Sequence, residues 1–294
     1  MSQKTPEAEV DITPNMVRQL LRAQCPDKTD LPIRYLGSGW DNIMFRIGDE
    51  WVIRMPRRAN ALPFFKNEQI WLERLAPELP IPVPVVLHKG EPEGDYPWPW
   101  SLTNFIPGVI AHEAELADNQ ADVMANFLRV LHRPTPDDAP VNPVRGVPLS
   151  VIADDVEGRI RLLEGEAGGV TADNLRVWKQ ALAAPESTTN VWLHGDLHAR
   201  NVLVDDAQFT GVIDWGDITA GDPATDLACA WMLFENSAAR EAMLTAYQAD
   251  VDTIARAKGW AFSMATILLL TGREDDLTHA EMGRNIFRRL DDDA

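Results

Sequence analysis

The 294-residue chain has only two cysteines, Cys25 and Cys229, far apart in sequence. Their scarcity argues against a disulfide scaffold and a cysteine-based zinc site, and fits a reducing cytoplasm. Long hydrophobic runs are also missing. The run Ile267 to Leu270, within residues 260–271, is far too short to span a bilayer, so no membrane association is expected. The opening Met1-Ser2-Gln3-Lys4-Thr5-Pro6-Glu7 has no apolar centre and does not read as a signal peptide. No internal repeat and no low-complexity tract is present. Positive charge is scarce: 27 Lys and Arg face 45 Asp and Glu, a formal net charge of −18. Nucleic-acid phosphates would be repelled, so nucleic acid is not an expected partner. The same balance suits a cationic small molecule, or simply an acidic, soluble surface.

What is there has the size and the 45% hydrophobic content of two lobes around apolar cores. Thr13-Pro14 followed by Val17, Leu20 and Leu21 predicts a capped helix. Three short strands follow, at 33–36, 43–47 and 51–55, punctuated by Gly37-Ser38-Gly39-Trp40-Asp41-Asn42 and by Gly48-Asp49. Residues 62–75 have helical spacing in Phe65, Ile70, Leu72 and Leu75, with Glu68 inside. Pro80, Pro82 and Pro84 predict an extended approach to a further strand. A last strand over 100–106 closes at Pro107-Gly108. The expected organisation is α+β, with an antiparallel-sheet lobe over 1–107 and a mainly helical lobe over 108–294. In the second lobe, helices are predicted around 123–131, 151–163, 171–183, 223–234, 238–249, 251–257, 260–270 and 279–290, and strands between 191 and 213. The tail Asp291-Asp292-Asp293 is expected to fray.

The chemistry concentrates in His194-Gly195-Asp196-Leu197-His198-Ala199-Arg200-Asn201-Val202-Leu203-Val204 and, after a turn, Val212-Ile213-Asp214-Trp215. Asp196 is followed five positions later by Asn201, and a strand–turn–strand unit then delivers Asp214. Phosphoryl transfer requires such a set. One carboxylate sits beside the attacking hydroxyl, as base or orienting group, while an amide oxygen and a second carboxylate converge on Mg²⁺. Asp196 is the candidate catalytic residue, and Asn201 and Asp214 are the candidate metal ligands. His194 is read as a structural brace of the loop, and His198 as a loop histidine or a neighbour of the site. Trp215 stands where protein kinases carry an aromatic, or is simple core. Asp222 and Asp226, in Gly221-Asp222-Pro223-Ala224-Thr225-Asp226-Leu227, are read as bracing the loop.

In the first lobe, Ser38 and Gly39 lie between two strands, where a hydroxyl and backbone N–H groups can cover phosphates or merely close a hairpin. Arg54 on the third strand is placed to meet α/β-phosphates, with Glu68 as its ion-pair partner. Trp98 and Trp100 are read first as packing.

These motifs resemble the aminoglycoside phosphotransferase family, protein-kinase-like enzymes that include macrolide, choline and homoserine kinases. The resemblance covers residues 34–234 and is most specific at 194–204, 212–215 and 221–227. It implies a bilobal kinase-like fold, ATP or GTP with Mg²⁺, and transfer of the γ-phosphate to a small-molecule hydroxyl. It places the base on Asp196, the metal ligands on Asn201 and Asp214, and the phosphate cation on Arg54, where lysine is usual. It places the purine hinge near Thr103-Asn104-Phe105, Thr103 and Phe105 being the nucleotide-binding candidates. The acceptor it implies first is an aminoglycoside antibiotic. Macrolides, or metabolites of the choline and homoserine type, are the alternatives, and a nucleotide-binding pseudokinase is a further one. Glu235, Asp217, Glu274, Asp275 and Asp276 are candidates for an acidic wall around a cationic acceptor. The expected state is a cytoplasmic monomer or homodimer.

Overall fold

The computed structural model describes residues 6–274 and 276–294, the side chain of Glu274 excepted. The described chain divides into two compact units, one of residues 6–77 with Pro82–Pro107, the other of Glu78–Ile81 with Gly108–Ala294.

The first unit begins with α1 (Pro14–Gln24), whose N-cap Thr13 accepts from Met16 N and which buries Val17, Leu20 and Leu21. The strands β1 (Ile33–Ser38), β2 (Asn42–Ile47), β3 (Trp51–Pro56), β4 (Val86–Gly90) and β5 (Trp100–Asn104) make one antiparallel sheet in the order β1-β2-β3-β5-β4. Phe45, Ile47, Ile53, Met55, Trp100 and Leu102 pack against α1 as a single core. Helix α2 (Leu62–Leu75), between β3 and β4, buries Phe65, Glu68, Trp71, Leu72 and Leu75. Ile70, expected on that face, is 47% exposed, and Trp71 is buried instead. At 100° per residue, position 70 falls about 140° from Phe65, off the stripe that 65, 68, 72 and 75 define.

The second unit contains β6 (Val109–Ile110), α3 (Gln120–Leu131), α4 (Leu149–Leu162) and α5 (Ala172–Ala183). It continues with β7 (Val191–Leu193), β8 (Val202–Asp205), β9 (Gln208–Val212) and β10 (Thr219–Gly221). The helices α6 (Ala224–Leu227), α7 (Cys229–Leu233), α8 (Ser237–Tyr247), α9 (Val251–Glu274) and α10 (Leu277–Asp292) complete it. Strands β8 and β9 form a hairpin with β6 on its other edge, and β10 pairs antiparallel with β7. Among the described residues, no helix is long and apolar enough to cross a membrane.

Two expectations change here. The helices predicted at 251–257 and 260–270 are one 24-residue helix, α9, running through Gly259. A Cβ at Gly259 would come 2.5 Å from Ala181 Cβ and 2.6 Å from Leu149 Cδ1. Close approach of α4 and α5 explains that glycine, so it marks packing and not a break. The C-terminal tail is not frayed. Asp291 and Asp292 lie in α10, and Asp293 takes a two-pronged ion pair from Arg240 of α8 (Nη2 to Oδ1 2.7 Å, Nε to Oδ2 2.8 Å). Trp231 Nε1 also donates to Asp293 Oδ2 (2.9 Å), and Lys258 Nζ donates to its backbone carbonyl (2.6 Å). The Arg240 side chain is 1% exposed. Asp293→Ala would strand a buried guanidinium, and a loss of about 3 kcal/mol in folding stability is expected in urea unfolding. A loss within error of zero would show that the tail contributes nothing.

Candidate active site

The candidate catalytic loop is built by the ends of β7, β8 and β9. Val202 pairs with Val212, and Ile213 N donates to Asn201 O (2.8 Å), so the hairpin carries Asn201 and the residue before Asp214 side by side. Asp214 follows with φ +61°, a left-handed conformation rare outside glycine. Strain of this kind costs on the order of 1–3 kcal/mol and is held where surrounding structure imposes it.

His194 is fully buried. Its Nε2 donates to Ile213 O (3.0 Å), and its Nδ1 accepts from Asp196 N (3.2 Å). The ring thus ties the loop to the hairpin, as read from the sequence. Asp226, also fully buried, accepts from His194 N (Oδ2, 2.7 Å) and Gly195 N (Oδ1, 2.9 Å). Asp222 accepts from Ala224 N (3.0 Å) and pairs with Arg256 (2.6 Å). Trp215 is core: it stacks obliquely on His194 and donates Nε1 to Val212 O (3.0 Å).

The Asp196 carboxylate has different partners on its two oxygens. Oδ2 faces Asn201 Nδ2 (3.2 Å) and His198 Nε2 (3.3 Å). Oδ1 faces Arg145 Nη2 (3.3 Å), from the loop before α4. Burial alone would raise the carboxyl's pKa, but His198 and Arg145 outweigh it and hold Asp196 well below the usual carboxylate range. Asp196 is therefore ionised at neutral pH, a hydrogen-bond acceptor more than a strong base. Asp217 differs. Burial, joined by the charges of Asp196 and Asp214, raises it to about 6 against the opposing pull of Arg145 and a hydrogen bond from Asn142 Nδ2 (2.6 Å). Arg145 and Asn142 were not singled out in the sequence, because both lie over fifty positions from their partners. Arg145 carried one weak signal, its place before Gly146 in a proline-flanked loop.

The donor set suits Mg²⁺ better than a transition metal. Asn201 gives its amide N–H groups to Asp196 and keeps Oδ1 as a ligand atom, Asp214 is an exposed carboxylate, and Mg²⁺ takes one or two such oxygens with phosphate and water. Among the described residues, no cluster of three His, Cys, Asp or Glu could hold a metal by itself.

The expected acidic wall is largely spent on the protein's own cations. Glu235 pairs with Arg288 and Arg289. Asp276 caps α10 through His279 N (3.2 Å) and pairs with Arg200 of the catalytic loop. Asp275 and the side chain of Glu274 lie outside the described residues. His279 accepts from Arg200 Nη1 at Nε2 (2.8 Å); burial first, and then the Arg200 charge, push it down to about 4 despite Asp276. The unfolded chain takes up this proton near pH 6.5 and the folded chain only near 4, so stability is lost as pH falls through that window. His279→Gln should flatten the fall in melting temperature between pH 7 and pH 4.5. An unchanged slope would assign that fall to other groups.

In the first unit, Ser38 and Gly39 sit at the β1–β2 turn. Ser38 Oγ accepts from Arg57 Nη1 (2.8 Å), and Gly39 N is occupied by Asn42 O (2.8 Å). Arg54 and Glu68 form a buried ion pair between β3 and α2. Thr103 lies on β5, flanked by Val52 and Val86, and Phe105 N donates to Glu50 O (2.7 Å). The N–H groups of Gly39 and Phe105, expected to face a nucleotide, are thus engaged by the sheet and its turns.

The antiparallel sheet unit and the helical unit are those of a phosphotransferase. The chain belongs to the phosphotransferase enzyme family APH, whose family model matches residues 32–260. No curated protein matches the chain by sequence. Similar solved structures include a mutant of aminoglycoside 2'-phosphotransferase-IIIa in complex with GDP, at 20% identity and TM-score 0.73, covering 96% of this chain and 98% of that one. Macrolide 2'-phosphotransferase MphH from Brachybacterium faecium shows 20% identity and TM-score 0.60 over 93% and 97% of the two chains. The streptomycin–ATP complex of APH(2")-IIa shows 22% identity and TM-score 0.59 over 88% and 90%. At these identities they share its fold.

Proposed function

We propose that this protein transfers the γ-phosphate of ATP or GTP, with Mg²⁺, to a hydroxyl of an antibiotic, an aminoglycoside in the first place. The observation that carries the reading is the Asp196 carboxylate, kept ionised and hydrogen-bonded to Asn201, with Asp214 delivered by the same hairpin. Asp196 accepts the hydrogen bond of the acceptor hydroxyl and aligns it for in-line attack. Asn201 and Asp214 would hold Mg²⁺, which neutralises charge on the phosphate oxygens. Arg54, steadied by Glu68, is the cation for the α/β-phosphates, and Ser38 the hydroxyl at the glycine turn. Thr103, on β5, and Phe105, just after it, mark the hinge for the purine. Similar structures bind GDP, ATP and aminoglycosides, which supports nucleotide and acceptor alike.

A macrolide is the second reading. The pairing of Glu235 and Asp276 with arginines leaves fewer carboxylates for a polycation, which favours a less charged acceptor. The test is a coupled assay of nucleoside diphosphate release with Mg²⁺ and ATP or GTP, over aminoglycosides, macrolides, choline and homoserine. Aminoglycoside-dependent release is expected. Release with macrolides alone would select the second reading, and none with any antibiotic would overturn both.

A further inference from the structure

The loop before α4 is stitched to the strand pair that carries the catalytic loop. Ala220 N donates to Pro140 O (2.9 Å), Asp222 N to Gly146 O (2.9 Å), and Asn142 N to Thr219 Oγ1 (2.9 Å). Gly146 has φ +71°, and a Cβ there would meet Leu193 Cδ1 at 2.8 Å and the Gly221 Cα at 3.0 Å. Only glycine lets the loop lie so close on β7 and β10, in a conformation that L side chains rarely adopt. The residue held in place by this seam is Arg145. Its side chain is 17% exposed, its Nη2 touches Asp196 Oδ1, and its charge also acts on Asp217. Its Nε is buried without a hydrogen-bond partner among the described residues. A guanidinium placed only to brace the loop would be expected to use that donor.

The carboxylate oxygens divide the work. Oδ2 is shared by Asn201 and His198, on the side of the candidate metal ligand. Among the described residues Oδ1 has one side-chain partner, Arg145, and it is the oxygen left for an acceptor hydroxyl. We propose that Arg145 is a positioning residue for phosphoryl transfer, holding Oδ1 of Asp196 in the orientation that the acceptor hydroxyl must meet. The proposal rests on the reading of Asp196 given above. It goes further in assigning a role to a residue outside the loop motif.

The test compares Arg145→Ala and Arg145→Lys with the full-length protein in steady-state kinetics, with melting temperatures beside them. The readout is phosphorylation of whichever acceptor is turned over, or nucleotide hydrolysis by water if none is. For Arg145→Ala, kcat is expected to fall about 100-fold, the scale of a small misplacement of a reacting group, with the nucleotide KM unchanged. Arg145→Lys should recover about a tenth of the wild-type kcat, since an ammonium restores charge without the planar fork. Wild-type kcat in Arg145→Ala would overturn the proposal. So would equal losses in both variants with a raised nucleotide KM and a lowered melting temperature, the marks of a scaffold residue. Asp196→Asn separates the two ideas. If it keeps wild-type turnover, the reading of Asp196 fails; if it loses turnover while Arg145→Ala does not, the Arg145 proposal alone fails.

Discussion

Asp196→Ala is expected to lower kcat by about 10³-fold while leaving nucleotide affinity within about twofold, because in the proposed reading the carboxylate acts on the acceptor hydroxyl in the transition state. The structure supports that split. Asp196 bonds Asn201 Nδ2, but the candidate ligand atom of Asn201 is the other end of the amide, and Asp214 comes from the far strand of the hairpin. Removing the Asp196 side chain leaves Asn201 a second bond, to the Asp196 carbonyl (2.8 Å), which keeps the amide oriented. Acceptor kinetics and nucleotide calorimetry on the same preparation decide the matter. Turnover within about threefold of wild type would remove Asp196 from the chemistry. Because the carboxyl is held well below the usual range, its ionisation should not limit activity at neutral pH.

The second large effect is on folding. Asp226→Ala is expected to cost about 4 kcal/mol and most of the activity, since it orphans two buried N–H groups at the start of the catalytic loop. It also strips His132 Nε2 of a carboxylate at 3.3 Å, while Tyr247 OH keeps Nδ1 (2.8 Å). Asp226 has zero exposure, so its loss leaves the two N–H groups facing a buried cavity and not bulk water. Urea unfolding of wild type and variant measures the difference. A cost below about 1 kcal/mol would mean that the loop holds its shape without this brace.

Several features could be read directly from the chain because their causes are local. Thr13-Pro14 starts a helix by side-chain capping and a fixed φ. The strands at β1, β2 and β3 follow from short apolar runs between glycine and aspartate turns. The helix expected over 171–183 forms as α5 from Ala172, with Thr171 just outside it as the N-cap in a reciprocal bond with Asn174. Ile70 and Gly259 were less legible for a shared reason. Which apolar residue faces inward, and whether a glycine breaks a helix or admits a neighbour, depends on what packs there.

The candidate site divides along the same line. By itself the sequence determined the spacing of Asp196, Asn201 and Asp214, because one loop and one hairpin carry all three and their separation along the chain sets their separation in space. Only the tertiary structure decided what surrounds them. Arg145 reaches Asp196 across 51 positions, Arg200 reaches Asp276 across 76, and Arg240 reaches Asp293 across 53. In the sequence each of these is one charge among many on an acidic chain. Folding selects its partner, because a buried charge is tolerated only where an opposite charge or hydrogen bond meets it.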